Sequence, residues 1–531
     1  MSKSSTKTCS ITLPLILEKW QIDRLNKRFE LARNLYNTII GFELKKLNKV
    51  KQLPEYREIT LKLSELPINS KNEGYSNEAK MLLKQRSQIL DKKGFTEFGF
   101  TNDMTRLYKC FKPNIGSITT QSIANNAWTS FKSLLYGNGK KIHFKKHGEI
   151  NTISGKPTNK EIRFKRENNT IEWNGLTLGC KVKKDNEYEN TMLEHKVKFV
   201  RIVRKWVRTK YNFYAQIIIE GTPEKKINKQ TGELKYPLGK GRVGIDIGTS
   251  TIAYVANSKI GIEELAPKVD TLEKELRVIN RRLDRSRRAT NPDNFNPDGT
   301  IKRGKKLIWK KSKRYLSLIE EKKELFRKQA DIRKLQHNIL SNKLIILGDE
   351  FYIEDMNIKA LSRRAQLTEI SEKTGRYKRK SRFGKSISNK APSMLMQILD
   401  NKLKSFNKGL IKINTVKAKA SQFDHISEEY HKKSLSTRWA KLSNGDIVQR
   451  DLYSAFLIQN INETLDNFNM ELIDVNYCSF KTQHDILIND LRLDESPRPS
   501  SIGINCPPCQ DTNFRFIMTP RLMEFSKRNG A

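Results

Sequence analysis

The stretch VGIDIGTSTIAYVA, residues 243–256, decides the fold of the C-terminal half. Val243 and Ile245 mark a buried strand, and Gly248 follows at a turn. The longer segment RVGIDIGTSTIAYVANSKIGIEEL (242–265) reads as a strand, a tight turn and two more strands. Asp246 sits at the end of the first strand. A carboxylate leaving a buried strand is costly unless something pairs with it. A hard divalent cation such as Mg²⁺, which takes oxygen ligands, is the natural partner. Gly248 would allow the sharp turn and leave room for a phosphate.

Downstream the pattern stays α/β. Residues 266–340 read as helical and very basic, broken by the Asn-, Pro- and Asp-rich loop RATNPDNFNPDGTIKRGKK. LIILGDEFYIEDM (344–356) reads as a helix end and a strand. A helix over KAPSMLMQILDNKLKSF, a strand over GLIKINTV (409–416) and a helix over DLYSAFLIQNINETL (451–465) follow. Beyond about 470, prolines predict irregular structure. Upstream, residues 10–20 predict a short strand and 21–135 mostly helix. Leu25, Phe29, Leu31, Leu35, Ile39 and Phe42 recur at three- and four-residue steps. The helix SIANNAWTSFKSLLYG closes at Gly137. IRFKRENNTIEWNG (162–175) predicts a hairpin turning at Asn168-Asn169. VKFVRIVRKWVRTKYNFYAQIIIEG (197–221) predicts a half-buried sheet with one basic face.

Two further acids share the position of Asp246 at an element boundary. Glu354 ends the strand FYIE. Its neighbour Asp355 must point to the other face, so only one of the two can enter a shared site. Asp451 opens a helix, where an acid is often only a cap or dipole partner. Strands carrying Asp and Gly also begin sugar kinases and actin-like ATPases, so Asp246 alone selects no chemistry. Taken together, the order Asp, Glu, Asp on a first strand, a later strand and a late helix is the arrangement of RNase H-like nucleases. Three converging acids can hold two Mg²⁺ ions ~3.5–4 Å apart against a phosphodiester.

These segments resemble transposon-encoded TnpB nucleases and the compact type V CRISPR effectors. GIDIGTSTIAYVA is similar to their first RuvC motif, IEDMNIKAL (353–361) to the second and RDLYSAFLI (450–458) to the third. FGKSISNKAPSMLMQILDNK resembles the helix before the last core strand, and RRLDRSRRA (281–289) the basic segment after the first motif. The resemblance runs from about 241 to 465. In the N-terminal half it rests on ARNLYN (32–37) and GKKIHFKK (139–146).

The resemblance implies an α/β multidomain chain, with an RNase H-like (RuvC) nuclease domain carrying helical insertions. It also implies an N-terminal β-rich wedge domain with a helical recognition insert. Residues 1–20 would supply the first wedge strand, 21–135 the recognition domain and 136–235 the rest of the wedge. Residues 241–415 would be RuvC parts I and II with the basic insert 266–340, and 447–470 part III, followed by a tail over 471–531. The implied activity is Mg²⁺-dependent, RNA-guided cutting of double-stranded DNA beside a short flanking motif. Asp246, Glu354 and Asp451 would be the catalytic metal ligands. In such proteins guide–target pairing reads the sequence while the protein grips the heteroduplex backbone.

One departure is plain. The family carries a four-cysteine zinc module before the third motif. In KASQFDHISEEYHKKSLSTRWAKLSNGD (419–446), Asp424 and Ser427 stand where cysteines would be. A degenerate loop over 416–446, without zinc and lying against nucleic acid, is expected; His425 and His431 alone do not make a zinc site. Cys506 and Cys509 have half-site spacing, with Cys478 a third thiol, but no fourth ligand accompanies them.

Composition agrees with a nucleic-acid partner. Lys and Arg number 101 of 531 residues against 58 Asp and Glu, a surplus of 43 positive charges. A compact fold this basic repels itself unless a polyanion compensates. Arg281, Arg282, Arg285, Arg287, Arg288, Lys145, Lys146, Gln422, Arg438 and Arg450 are the expected contacts. Trp128, Phe144, Trp206 and Tyr214 are aromatic residues in basic surroundings that could stack on bases, although core packing is the commoner role. No apolar run reaches a membrane span, and the N-terminus lacks a secretory pattern. Six scattered cysteines suit a reducing compartment. A cytoplasmic protein, one or two copies per guide RNA, is expected. Two alternatives stay open: an RNA-guided binder that does not cut, and an RNase H-like transposase that joins DNA ends without RNA.

Overall fold

The computed structural model describes residues 7–504, apart from 67–75, 109–110, 112–113, 137–138, 140, 158–160, 184, 229, 305, 365–366, 371–374, 376, 378–382, 433–436, 495 and 497. Gly137, Cys506 and Cys509 therefore lie outside the described residues. The chain is a mixed α/β, multidomain protein that divides into two compact units, Met1–Lys225 and Lys226–Ala531.

In the first unit, strand β1 (Thr8–Ile16) leads into helix α1 (Lys19–Val50). Glu18 and Gln21 form its capping box. Leu25, Phe29, Ala32, Tyr36, Ile39 and Ile40 bury one face of α1, the outcome of their three- and four-residue spacing. Helices α2 (Pro54–Glu65), α3 (Asn77–Lys92), α4 (Glu97–Leu107) and α5 (Ser117–Tyr136) follow. Strands β2 (Thr152–Ser154), β3 (Ile162–Lys165), β4 (Thr170–Trp173) and β5 (Leu176–Cys180) come next. Helix α6 (Glu187–Glu194) precedes the long hairpin β6 (Val197–Val207) and β7 (Lys210–Glu220). All seven strands form one antiparallel sheet, ordered β2-β6-β7-β1-β5-β4-β3. The β3–β4 turn does pass through Asn169, at φ 52°. Arg201 and Lys205 take the outer face of β6. Arg204, which shares the inner face with Val200 and Ile202, is only 2% exposed.

The second unit is built on a five-stranded sheet, ordered β10-β9-β8-β11-β12. Strands β8 (Arg242–Ile247), β9 (Thr251–Ala256) and β10 (Ile260–Glu264) form an antiparallel meander. The hairpin from helix α7 (Val269–Thr290) to helix α8 (Lys313–Ile345) comes next. Strand β11 (Glu350–Glu354) then runs parallel to β8. Short helices α9 (Ile358–Leu361) and α10 (Gly384–Lys390) and helix α11 (Pro392–Lys404) lead to β12 (Leu410–Ile413), parallel to β11. Alternation sorts the sheet into two faces. Val243, Ile245, Tyr254, Phe351 and Ile353 pack with α8 and α11. Ala253, Val255, Tyr352 and Ile413 pack on the other side with helices α13 (Arg450–Gln459) and α14 (Met470–Leu493).

Two expectations are corrected here. Residues 416–446 do not form a plain loop. After the single turn α12 (Thr415–Ala418), β13 (Phe423–Asp424) pairs with β14 (Glu429–Tyr430). Strand β15 (Trp439–Lys441) pairs with β16 (Ile447–Gln449) just before α13. Nor are residues 470–493 irregular, because α14 runs for 24 residues behind its Asn469 cap. Its buried Ile473, Phe480, His484 and Ile488 keep helical spacing, among polar residues that obscure the pattern. Among the described residues no helix is long and apolar enough to cross a membrane.

Candidate active site

Asp246 and Gly244 lie two residues apart on β8 and so share one face, the face that carries α13. Glu354 reaches the same face. Ile353 pairs with Ile245 in parallel register, which brings the next residue on each strand side by side. Asp451 stands in the first turn of α13. That helix lies directly on β8 because residue 244 has no side chain. A Cβ there would fall 2.0 Å from the Ala455 carbonyl oxygen and 2.4 Å from the Gln459 nitrogen. Asp246, Glu354 and Asp451 thus meet at one end of the sheet, each half-buried.

The helix is pinned at both ends. At its start, the Gln449 side chain accepts from Leu452 N–H at 2.8 Å, and Gln449 N–H donates to His484 Nε2 of α14 at 2.9 Å. Burial lowers the His484 pKa, which keeps that nitrogen free to accept. Tyr453 Oη lies 2.7 Å from His425 Nδ1 and accepts His425 N–H at 3.1 Å. Next to His425, the buried Asp424 carboxylate accepts from Ser443 N–H and Oγ–H, both at 2.9 Å, tying β13 to the β15–β16 turn. At the far end, Gln459 Nε2 donates to the Arg242 carbonyl at 3.1 Å and to Asn257 Oδ1 at 2.8 Å.

The electrostatics follow from this crowding. Burial, and then the charges of Asp451 and Glu354, raise the Asp246 carboxyl well above the usual carboxylate range, against the pull of Arg450. Burial raises Glu354 as well. Arg450 donates to Asp451 Oδ1 from Nε at 3.2 Å and from Nη2 at 3.1 Å. Arg438 Nη1 stands 4.0 Å from Asp451 Oδ2. Asp355 is exposed and paired with Lys412 at 2.7 Å. Three carboxylates side by side offer hard oxygen donors of the kind Mg²⁺ takes, and a cation there would offset the negative charge that raises Asp246, so the donor chemistry fits that ion. As placed, no group of three or more His, Cys, Asp or Glu side chains among the described residues could jointly hold a metal ion.

The other predicted residues fall elsewhere. Arg438 and Arg450 converge on Asp451, and Gln422 belongs to the β13–β14 hairpin, where its carbonyl accepts from His431 N–H at 2.8 Å. Arg281 and Arg285 are exposed on α7; Arg282 pairs with Glu321, while Arg287 and Arg288 pair with Asp284. In the first unit, Asn37 brackets the backbone of Lys145, accepting its N–H at 2.8 Å and donating to its carbonyl at 2.9 Å. ARNLYN and GKKIHFKK therefore touch. Lys146 and Phe144 are exposed, whereas Trp128 packs on Phe100, Trp206 on Tyr211 and Tyr214 beside Lys205.

Sequence reasoning missed Gly244 and singled out Gly248, as the residue that would allow the sharp turn and leave room for a phosphate. Gly248 takes no left-handed backbone, and its turn is closed by its N–H to the Thr251 carbonyl at 2.9 Å. A glycine inside a strand is the signal that marks Gly244 as a point of close backbone approach.

No protein-family model matches the chain, and no curated protein does. Similar solved structures include a Cas12f1–sgRNA–target DNA complex, at 11% identity and a TM-score of 0.38, covering 87% of this chain and 99% of that one. A CRISPR–Cas12f ternary complex follows at 12% and 0.24, over 83% and 82%. A Cas12i–crRNA–dsDNA complex matches at 11% and 0.22, over 90% and 70%.

Proposed function

We propose that this chain is an RNA-guided DNA endonuclease with an RNase H-like (RuvC) catalytic unit. The observation that carries the nuclease reading is the meeting of Asp246, Glu354 and Asp451 at one sheet end, with Asp246 raised by burial and then by the charges of the other two. The sheet order and the two parallel strands beside β8 support the RNase H-like reading. The motif resemblance and the surplus of 43 positive charges support guide RNA and DNA as partners.

Asp246, Glu354 and Asp451 would hold Mg²⁺, which supplies charge neutralisation and Lewis-acid polarisation of a phosphodiester. The chain's own residues set the geometry. Gly244 seats α13, Gln449 and Tyr453 fix its start, and Arg450 orients the Asp451 carboxylate. Burial and the two neighbouring carboxylates favour the protonated form of Asp246, and a bound cation would favour the ionised form.

The test is cleavage of guide-matched DNA by protein carrying the RNA that purifies with it, in Mg²⁺ or in EDTA. Cutting is expected in Mg²⁺ only, and Asp246→Ala should take it below detection while DNA binding stays within a few-fold. An Asp246→Ala protein that cuts normally overturns the assignment. The Arg450–Asp451 pair favours a second reading, an RNA-guided binder that does not cut. Tight, guide-dependent binding with no Mg²⁺-dependent nicking would select it.

A further inference from the structure

The sequence marks Arg281, Arg285, Arg287 and Arg288 as expected nucleic-acid contacts, and the loop between α7 and α8 lies beside them, outside the carboxylate site. It is closed by side chains rather than left open. Asn291 Nδ2 donates to the Arg287 and Lys310 carbonyls at 2.9 and 3.0 Å, and Asn291 Oδ1 accepts Lys310 N–H at 2.7 Å. Asn294 Nδ2 donates to the Ile308 carbonyl at 2.7 Å. Phe295 and Trp309 meet edge to face, 5.7 Å apart, and the Arg287 guanidinium lies 5.0 Å over Trp309. Arg288 is fixed by Asp284 at 2.8 Å and by the Gly299 carbonyl at 2.8 Å. Beside them opens a recess of about 760 Å³, lined by Arg287, Arg288, Arg303, Asn296 and Thr300 among others.

Positive charge outweighs negative around this recess. Between Gly299 and Ile319 the chain has eight lysines and arginines and no acid. Asp284 faces Arg287 and Arg288, and Asp298 faces Thr300. Arg303 is exposed and, among the described residues, has no ion pair. The same holds for Arg281 and Arg285. Along α7, residues 281, 285 and 288 follow one face in steps of about 6 and 4.5 Å. They point away from the Leu272, Leu276, Ile279 and Leu283 seam that packs on α8. Arginines held rigid before a ligand arrives lose little freedom in binding a phosphate, and their forked donors match its oxygens.

We propose that the tip of the α7–α8 hairpin is a prebuilt grip for a nucleic-acid backbone. A strand runs along Arg281 and Arg285 and seats a phosphate in the recess of Arg287, Arg288 and Arg303. This inference rests on the nucleic-acid part of the proposed function and needs nothing from the carboxylates. The grip reads phosphate and not sequence, because no base-specific pocket accompanies it.

The test leaves Arg287 and Arg288 alone, since they hold the loop together. Arg303→Gln, the double change Arg281→Gln with Arg285→Gln, and a control, Lys404→Gln, are compared. Lys404 is already paired with Asp400 on α11. Binding of the full chain to labelled duplexes of arbitrary sequence is followed by fluorescence anisotropy across a salt series. The three probes are a DNA duplex, an RNA duplex and an RNA–DNA hybrid. Arg303→Gln should weaken binding several-fold whatever the sequence, and flatten the slope of log affinity against log salt by about 0.9. The double variant should flatten it further, and the control should not change it. The probe that loses most identifies the strand held there. Unchanged slopes for both arginine variants, or an equal loss in the control, overturn the grip. Failure of Asp246-dependent cutting would leave these slopes untouched, so the two proposals fail separately.

Discussion

The buried arginines of the first unit and the carboxylate cluster of the second treat charge in opposite ways. In the first, Arg204 is 2% exposed, yet it donates to Glu30 Oε1 at 3.0 Å, Asn26 Oδ1 at 3.3 Å and the Ile150 carbonyl at 3.2 Å. Arg28 donates to the carbonyls of Trp173 and Asn174 at 2.7 and 2.6 Å, and burial lowers its pKa to about 10. Against its own burial, Glu30 is held below the usual carboxylate range by hydrogen bonds from Arg204 and Arg33. Both buried arginines are answered from within the unit. In the second unit, three acids crowd one sheet end, and Arg450 and Arg438 both turn to the same one, Asp451. Their mutual repulsion is left standing at a place open to water. An interior that settles its own charges is scaffold. One that leaves a like-charged cluster at its edge is prepared for something from outside.

This contrast can be broken at several points. The largest effect is expected from Gly244→Ala, whose new methyl meets the α13 backbone with no side chain able to yield. It should cost about 4 kcal/mol or more in denaturant unfolding and remove cutting. If the variant cuts at the normal rate, α13 does not set the site. Next comes Arg204→Ala, which strands Glu30 against the core. It should destabilise the chain by about 3 kcal/mol, measured in the same way. A negligible loss would mean that the first unit does not depend on its internal pairing.

Glu43 sharpens the comparison through pH. Its side chain is fully buried on α1, with Lys46 Nζ 3.3 Å from Oε2. Burial outweighs that lysine and pushes Glu43 up to about 8 from an ordinary 4.5. The folded chain therefore holds a proton that the unfolded chain releases. The stability from this group is complete below about 4.5 and is lost as pH rises through about 8. Glu43→Gln should flatten that decline and gain on the order of 2 kcal/mol at alkaline pH relative to the parent, read from melting curves between pH 5 and 9. Parallel curves for both proteins would refute it. The smallest effect is expected from Tyr453→Phe, which deletes the contact with His425. It should cost about 1 kcal/mol and slow cutting less than tenfold.

Much of this architecture can be read without coordinates. The alternation and turn at 243–256 predict the meander, the 25–42 periodicity predicts α1, and Asn168-Asn169 predicts the tight hairpin. What escapes such reading depends on partners distant in sequence. Arg204 has the same local pattern as Arg201 and Lys205, and it turns inward only because Glu30 and Asn26 wait on α1 to receive it. The hairpins of 416–446 form around Asp424, Ser443, His425 and Tyr453, polar residues whose pairing no periodicity reveals. Gly244 looks like a weak spot in a strand until the helix it admits arrives. Arg450 and Arg438 read as phosphate ligands, yet in this conformation both turn toward Asp451.

The seat over Gly244 also has a consequence for biosynthesis. Asp246 leaves the ribosome roughly two hundred residues before Asp451. Until the Arg450–Gln459 segment emerges and docks, that seat stays empty and the acid set lacks its third member. On the proposed nuclease reading, a nascent polypeptide that has not yet made the Arg450–Gln459 segment is disarmed by the order of translation.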